Sequence, residues 1–271
     1  MATLVKSIKA METKDLISYP VRELIMLAGK DGSGKSSALV SLAWYVEQTD
    51  PSATFYVIDT ENKFRSALMA FGPEVPKNIL YYKTDDMNQA NMAVAQVVKE
   101  HKPGDWLAVE SMSRLWERSQ DLAYNAVAGV SKIEYLEARG RKGPPIPQPD
   151  QFWQIAKGAH DGAFFDLLTQ QEDLNVIVTT TIAKPPKEGF IKENADRKAI
   201  RVELGIDANL EGAPRLPYYV ESLGLLEVQA GKVKCRMLRD NLSTLDDPRT
   251  EFEVPSKRDF GSMFFINCRS K

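Results

Sequence analysis

The sequence predicts an α/β fold: a mostly parallel central sheet flanked by helices on both sides, with an antiparallel hairpin near the C-terminus. Three observations predict it. Short apolar runs rich in Val and Ile alternate with longer segments whose apolar residues recur at helical spacing. One run, "NVIVTTTI" (175–182), is apolar without alternation through its first half, as a strand buried on both faces would be. Finally, "YYVESLGLLEV", an Ala-Gly pair and "KVKCRMLRD" read as two strands around a tight turn, over 218–240.

Taken in order, residues 1–20 carry scattered Lys and Glu and no apolar centre. They are expected to be an N-terminal extension and not a signal peptide. The core is expected over 21–240. Residues 21–28 are a short buried strand, followed by a Gly-rich turn. Leu39, Leu42, Ala43 and Val46 then mark a helix that Pro51 ends, and "TFYVID" (54–59) is the second strand. Asp86 opens a helix whose stripe is Ala90, Ala93, Val94, Val97 and Val98, and "KPG" at 102–104 stops it. "WLAVE" (106–110) is the third strand. A polar, partly helical stretch runs into "RGRKGPPIPQP" (139–149), which Pro and Gly keep irregular. Asp150 is placed to cap a long helix through Phe152, Ile155, Ala159, Phe164, Leu167 and Leu168, and "NVIVTTTI" is the fourth strand. Residues 183–201 are too polar and broken for a core. Residues 241–271, a C-terminal extension, show no clear pattern.

With 271 residues, 43% hydrophobic and 27% charged, the chain has the composition of an ordinary soluble protein. A net charge of −2 excludes a global field that would attract nucleic acid, so any such contact needs a local patch. Cys235 and Cys268 form no CxxC pair, which argues against a disulfide framework or zinc site and for a reducing, cytoplasmic setting. No apolar run approaches the roughly 18 residues needed to cross a bilayer.

The informative stretch is "GKDGSGKSS", 29–37. Gly29, Gly34, Lys35 and Ser36 satisfy G-x-x-x-x-G-K-[ST], between a strand and a helix as that motif requires. Glycines at such spacing let backbone N–H groups turn inward as an anion nest, and the next helix adds the positive end of its dipole. The expected cradle is Gly29, Lys30, Asp31, Gly32, Ser33, Gly34, Lys35, Ser36 and Ser37, its ligands ATP and Mg²⁺. Lys35 would reach the β and γ phosphates, and the Ser36 hydroxyl the metal. In a parallel sheet the carboxyl ends of neighbouring strands face the same crevice. Three acids stand there: Asp59, Glu61 and Glu110. Glu61 is expected to orient the attacking water, Glu110 to hold the metal through a water, and Asp59 to be a structural hydrogen-bond partner.

In this order "GKDGSGKSS", "VIDTE", "LAVES" and "VIVTTTI" resemble the RecA-like P-loop ATPases, most closely the compact ones of phages and prophages linked to recombination. The likeness spans about residues 20 to 240. It implies a catalytic glutamate at Glu61, a metal-site acid at Glu110, and a γ-phosphate sensor at Thr180 or Thr181. It further implies ATP hydrolysis, slow and stimulated by DNA or self-assembly, in a bacterial or phage-infected cell. Two departures bear on the chemistry: Glu110 replaces the usual Asp, leaving it open as the base itself, and Thr is shorter than the usual sensor.

DNA loops of such proteins follow the third and fourth core strands. Here those positions hold Arg139, Arg141 and Lys142, then Lys184, Lys187, Phe190, Lys192, Arg197, Lys198 and Arg201, interspersed with Glu188, Glu193 and Asp196. Such loops would give salt-sensitive contact with single-stranded DNA. Late-strand cations, Arg236 or Arg239, are expected to reach a neighbour's γ-phosphate in a ring or filament. Readings that share the phosphate loop are a helicase-like ring motor, a P-loop kinase acting on a small molecule, and a nucleotide-gated module without turnover.

Overall fold

The computed structural model describes residues 22–139, 148–185, 194–242 and 251–269. Strands β1 (Leu24–Gly29), β2 (Phe55–Asp59), β3 (Ile79–Lys83), β4 (Trp106–Glu110) and β5 (Asn175–Ala183) alternate with helices. These are α1 (Lys35–Thr49), α2 (Lys63–Phe71), α3 (Met87–Glu100), α4 (Met112–Ala128), α5 (Lys132–Arg139), α6 (Pro149–Lys157) and α7 (Asp166–Thr169). Then come α8 (Ala195–Glu203), the two-residue β6 (Asn209–Leu210), β7 (Ser222–Gln229), β8 (Lys232–Asp240), β9 (Glu251–Val254) and α9 (Phe260–Cys268). Sheet order is β3-β2-β4-β5-β1-β7-β8-β9, with β6 beside β5. From β3 to β7 every pairing along that path is parallel; β7–β8 and β8–β9 are antiparallel. This is the expected architecture, hairpin included: Ala230 (φ 49°) and Gly231 (φ 79°) turn the chain between β7 and β8.

Every residue of β1, β2 and β4 is buried, because helices cover both faces. Successive side chains enter opposite cores. Met26, Ile58, Val109 and Val178 pack on the side of α3 and α4. Ile25, Leu27, Val57 and Ile177 pack on the side of α1 and α9.

Several elements were not foreseen. β3 is a short edge strand whose residues are only partly covered, so it lacks an apolar signature. α2 begins at Lys63, close behind Glu61, and buries Phe64 and Phe71. The helix expected from Asp150 starts at Pro149, with Gln148 at its N-cap, so Asp150 lies in the first turn. Between α6 and α7 the backbone is π-helical over Gly158–Phe165, which shifts the apolar spacing.

Residues 251–269, which carry no periodic signal, complete the second core. β9 pairs with β8, and α9 lies on α1 so closely that a Cβ on Gly261 would meet Tyr45 Cβ at 2.6 Å and the Ser41 carbonyl oxygen at 2.8 Å. Phe265 stacks on Tyr45 at 4.7 Å. Beyond α9, Arg269 donates to Glu23 at 2.6 and 2.8 Å and to Asp240 at 2.9 and 2.7 Å.

Candidate functional site

The loop after β1 forms a cradle. Gly32 (φ 76°) and Gly34 (φ 96°) take left-handed conformations that favour glycine. A Cβ on Gly29 would collide with Ser33 Oγ and approach the Leu226 carbonyl oxygen to 2.7 Å. No side chain caps α1 at Gly34, so its first amides remain for a ligand. Ser33 Oγ is buried with no hydrogen-bond partner among the described residues. Lys35 is buried, and its Nζ donates to the carbonyls of Gly29 (2.8 Å) and Lys30 (3.0 Å). Burial lowers its pKa, opposed by the charges of Glu110 and Asp31. A cation held over unpaired amides and an orphan hydroxyl suits a polyanion.

Pairing of β2 with β4 sets Asp59 level with Glu110 at the carboxyl ends of both strands. Asp59 is fully buried and accepts from the amides of Glu61 (3.1 Å), Lys63 (3.3 Å), Phe64 (3.1 Å) and Arg65 (3.4 Å) and from the Tyr81 hydroxyl (2.9 Å). It ties down the turn that presents Glu61. Glu110, 1% exposed, accepts from Ser36 Oγ at 3.0 Å and from Thr179 Oγ1 at 2.9 Å. The adjoining Ser111 donates to Glu61 Oε1 at 3.2 Å. Lys63 Nζ lies 2.5 Å from Glu61 Oε2 and 3.2 Å from Asp31 Oδ1. Burial works against that lysine's charge, but its bonds to Glu61 and Asp31 prevail and raise its pKa. The structure thus brings Lys35, Ser36, Glu61 and Glu110 together. Neither Thr179 nor Lys63 was singled out from sequence.

Burial pushes the Glu110 pKa up to about 7; the Thr179 and Ser36 hydroxyls and Lys35 pull it down, and Asp59 adds to the rise. The folded protein therefore holds this proton more tightly than the unfolded chain does. That stabilisation is fully present below the ordinary value of 4.5 and is lost as pH rises through about 7. Its ceiling is about 3 kcal/mol at ~1.4 kcal/mol per pKa unit. Urea midpoints of metal- and nucleotide-free protein should fall from about pH 5 to about pH 8, and Glu110→Gln should flatten that slope.

Other expected site residues lie elsewhere. Thr180, one of the two residues expected as the sensor, has its hydroxyl sent by strand alternation to the face opposite Thr179, where it bonds the Glu211 carbonyl and lies 3.0 Å from Ser113 Oγ. The Thr181 amide donates to Ser113 Oγ at 2.9 Å. Arg239, expected to reach a neighbour's γ-phosphate, lies away from this chain's own loop. β8 runs antiparallel, which carries it to the far end of the sheet opposite Leu223, where it donates to the Val220 carbonyl at 3.1 Å. Arg236 pairs with Leu225, itself level with Ala28, and lines a cavity of about 400 Å³ with Lys30 and Lys184. Arg197, expected as a DNA contact, donates its guanidinium to the Leu210 and Gly212 carbonyls, both at 2.6 Å, and so ties α8 to β6. Lys184 and Lys198 are exposed. Arg141, Lys142, Lys187, Phe190 and Lys192 lie outside the described residues, as does the side chain of Arg139.

Beside Ser37 and Ala38 opens a second cavity, of about 360 Å³, walled by Gly231, Val233, Val254, Pro255 and Phe260. It adjoins the phosphate loop and is mostly apolar, a setting for a flat ring.

The fold is shared with a KaiC-like protein from the hyperthermophilic archaeon Pyrococcus horikoshii OT3, with a TM-score of 0.50 at 12% identity over 89% of this chain and 88% of that one. No protein-family model and no curated protein matches the sequence. The chain therefore has a RecA-like α/β fold.

Proposed function

We propose that this chain binds ATP with Mg²⁺ and hydrolyses the terminal phosphate. One observation carries the reading: Ser36 at the phosphate loop bonds Glu110 at 3.0 Å, while the neighbouring Ser111 bonds Glu61 at 3.2 Å. Metal-side and water-side acids thus meet at the mouth of one anion cradle. The loop amides and the positive end of α1 hold the phosphates. Lys35 exchanges its two loop carbonyls for phosphate oxygens. Ser36 and Glu110 would hold Mg²⁺, which supplies neutralisation of phosphate charge. Glu61 takes a proton from the water that attacks the γ-phosphorus, and the bond to the β–γ bridging oxygen breaks, leaving ADP and phosphate. The apolar cavity beside Ser37 takes the base.

A fluorescent ATP analogue titrated with Mg²⁺ tests this. Binding should be saturable in the intact protein and at least ~100-fold weaker in Lys35→Ala, which removes the buried cation. Val233→Trp, which fills the base cavity, should weaken ATP by ~10-fold or more and spare inorganic tripolyphosphate. No binding by the unaltered protein would overturn the reading.

Action on single-stranded DNA, in recombination or replication, and assembly into a ring or filament complete the proposal. Exposed Lys184 and Lys198, both following β5, support the DNA part. Fluorescence anisotropy with a single-stranded oligonucleotide at about 50 mM salt should show binding that weakens as salt rises. No binding, with or without ATP analogue, would remove DNA from the proposal.

A further inference from the structure

Lys63 is the first residue of α2, two positions past Glu61. Asp59 fixes both, accepting from the Glu61 and Lys63 amides. From that anchor the Lys63 ammonium reaches across to the phosphate loop and bridges two carboxylates, Glu61 at 2.5 Å and Asp31 at 3.2 Å. The two contacts differ. Asp31 is 77% exposed and its bond is the longer, so that pair is readily given up. Glu61 is only 20% exposed and closely bound.

Charge explains why a second cation is needed. The mouth of the loop already gathers Asp31, Glu61 and Glu110, and a triphosphate adds its own negative charge. Lys35 lies deeper, on the Gly29 and Lys30 carbonyls. Of the late-strand arginines, Arg239 is at the far end of the sheet, and Arg236 faces a cavity behind the loop, lined with Lys30 and Lys184.

We propose that Lys63 is the cation this chain supplies, in cis, to the terminal phosphate. On nucleotide binding its ammonium leaves Asp31 for a γ-phosphate oxygen and keeps its bond to Glu61. One side chain then holds the base in place and neutralises charge on the phosphoryl group being transferred. The inference rests on the ATPase reading above. It requires no neighbouring subunit, so turnover per protomer is independent of protein concentration.

Lys63→Met, Lys63→Arg and Asp31→Asn test it in the full chain, with thermal unfolding as the control for folding. In Lys63→Met, kcat should fall about 100-fold. Affinity for a non-hydrolysable triphosphate should fall about 10-fold while ADP affinity stays unchanged. Lys63→Arg should recover most of both losses, and Asp31→Asn should tighten triphosphate binding. In the intact protein, kcat per protomer should be constant across a dilution series. Equal or faster turnover in Lys63→Met, or an equal loss of ATP and ADP affinity, would overturn the inference and leave the ATPase reading standing. An intact protein that fails to bind ATP would overturn both.

Discussion

Glu61→Gln is expected to lower turnover of MgATP by about 10³-fold while nucleotide affinity stays within about threefold, as for loss of a positioned general base. The amide keeps the shape and the bond from Ser111, so what disappears is the ability to take a proton, together with the charge that Lys63 pairs with. Glu110→Gln should behave differently. Its neighbours Ser36 and Thr179 can still donate to the amide oxygen, yet the buried negative charge is gone. The half-saturating Mg²⁺ concentration should therefore rise at least ~10-fold, with turnover partly restored at high magnesium. Phosphate release measured across a magnesium titration, beside binding of a fluorescent ADP analogue, separates the two. Should Glu110→Gln abolish turnover with Mg²⁺ dependence intact while Glu61→Gln is mild, the roles exchange.

What could be read in advance, and what could not, follows from how far apart the cooperating residues lie. The phosphate loop is legible because its chemistry demands contiguous residues at fixed spacing between a strand and a helix. Glu61 and Glu110 are legible because parallel strands deliver their carboxyl ends to one edge. The polar residue at the end of β5 shows the limit. Thr179 and Thr180 are adjacent, and a shift of one residue exchanges the faces of a strand, so only the register identifies Thr179 as the one bonded to Glu110. The distance of Arg239 from its own loop is likewise a matter of direction: along an antiparallel strand each residue recedes from the loop by about 3.4 Å. Lys63 is an ordinary helix-start lysine in sequence, and only contact with Asp31, 32 residues earlier, gives it significance. α9 reads "FGSMFFINC", apolar nearly all round although only Phe260, Gly261, Phe264 and Cys268 are buried and Ile266 is exposed, and so offers no amphipathic stripe.

The same distance in sequence hides the residue whose loss should cost the fold most. Arg269 lies 246 residues from Glu23, yet its guanidinium forks onto both Glu23 oxygens, bonds both oxygens of Asp240, and donates to Ser222 Oγ at 2.8 Å. Phe264 stacks under it at 4.9 Å. Burial opposes the guanidinium's charge, but the two carboxylates outweigh it and raise its pKa well above the ordinary arginine range. The side chains of Glu23 and Asp240 are 11% and 2% exposed, so removing Arg269 strands two carboxylates in the interior. Arg269→Met is expected to destabilise the protein by about 3–5 kcal/mol, since breaking a buried pair from one side costs far more than the pair contributes. The melting temperature should drop by about 10 °C at ~2–4 °C per kcal/mol. Arg269→Lys should recover little, because an ammonium cannot satisfy two forked contacts at once. Adding Glu23→Gln and Asp240→Asn to Arg269→Met should restore much of the loss, and a destabilisation under about 1 kcal/mol would show that the carboxylates find water instead. Glu23, Ser222 and Asp240 sit at the end of the sheet opposite the phosphate loop, while Phe260 on the same α9 walls the base cavity. The clamp therefore holds, from the far end, the helix that walls the cavity beside Ser37. On the ATPase reading, Arg269→Met should also weaken ATP more than tripolyphosphate, although no atom of Arg269 would touch either.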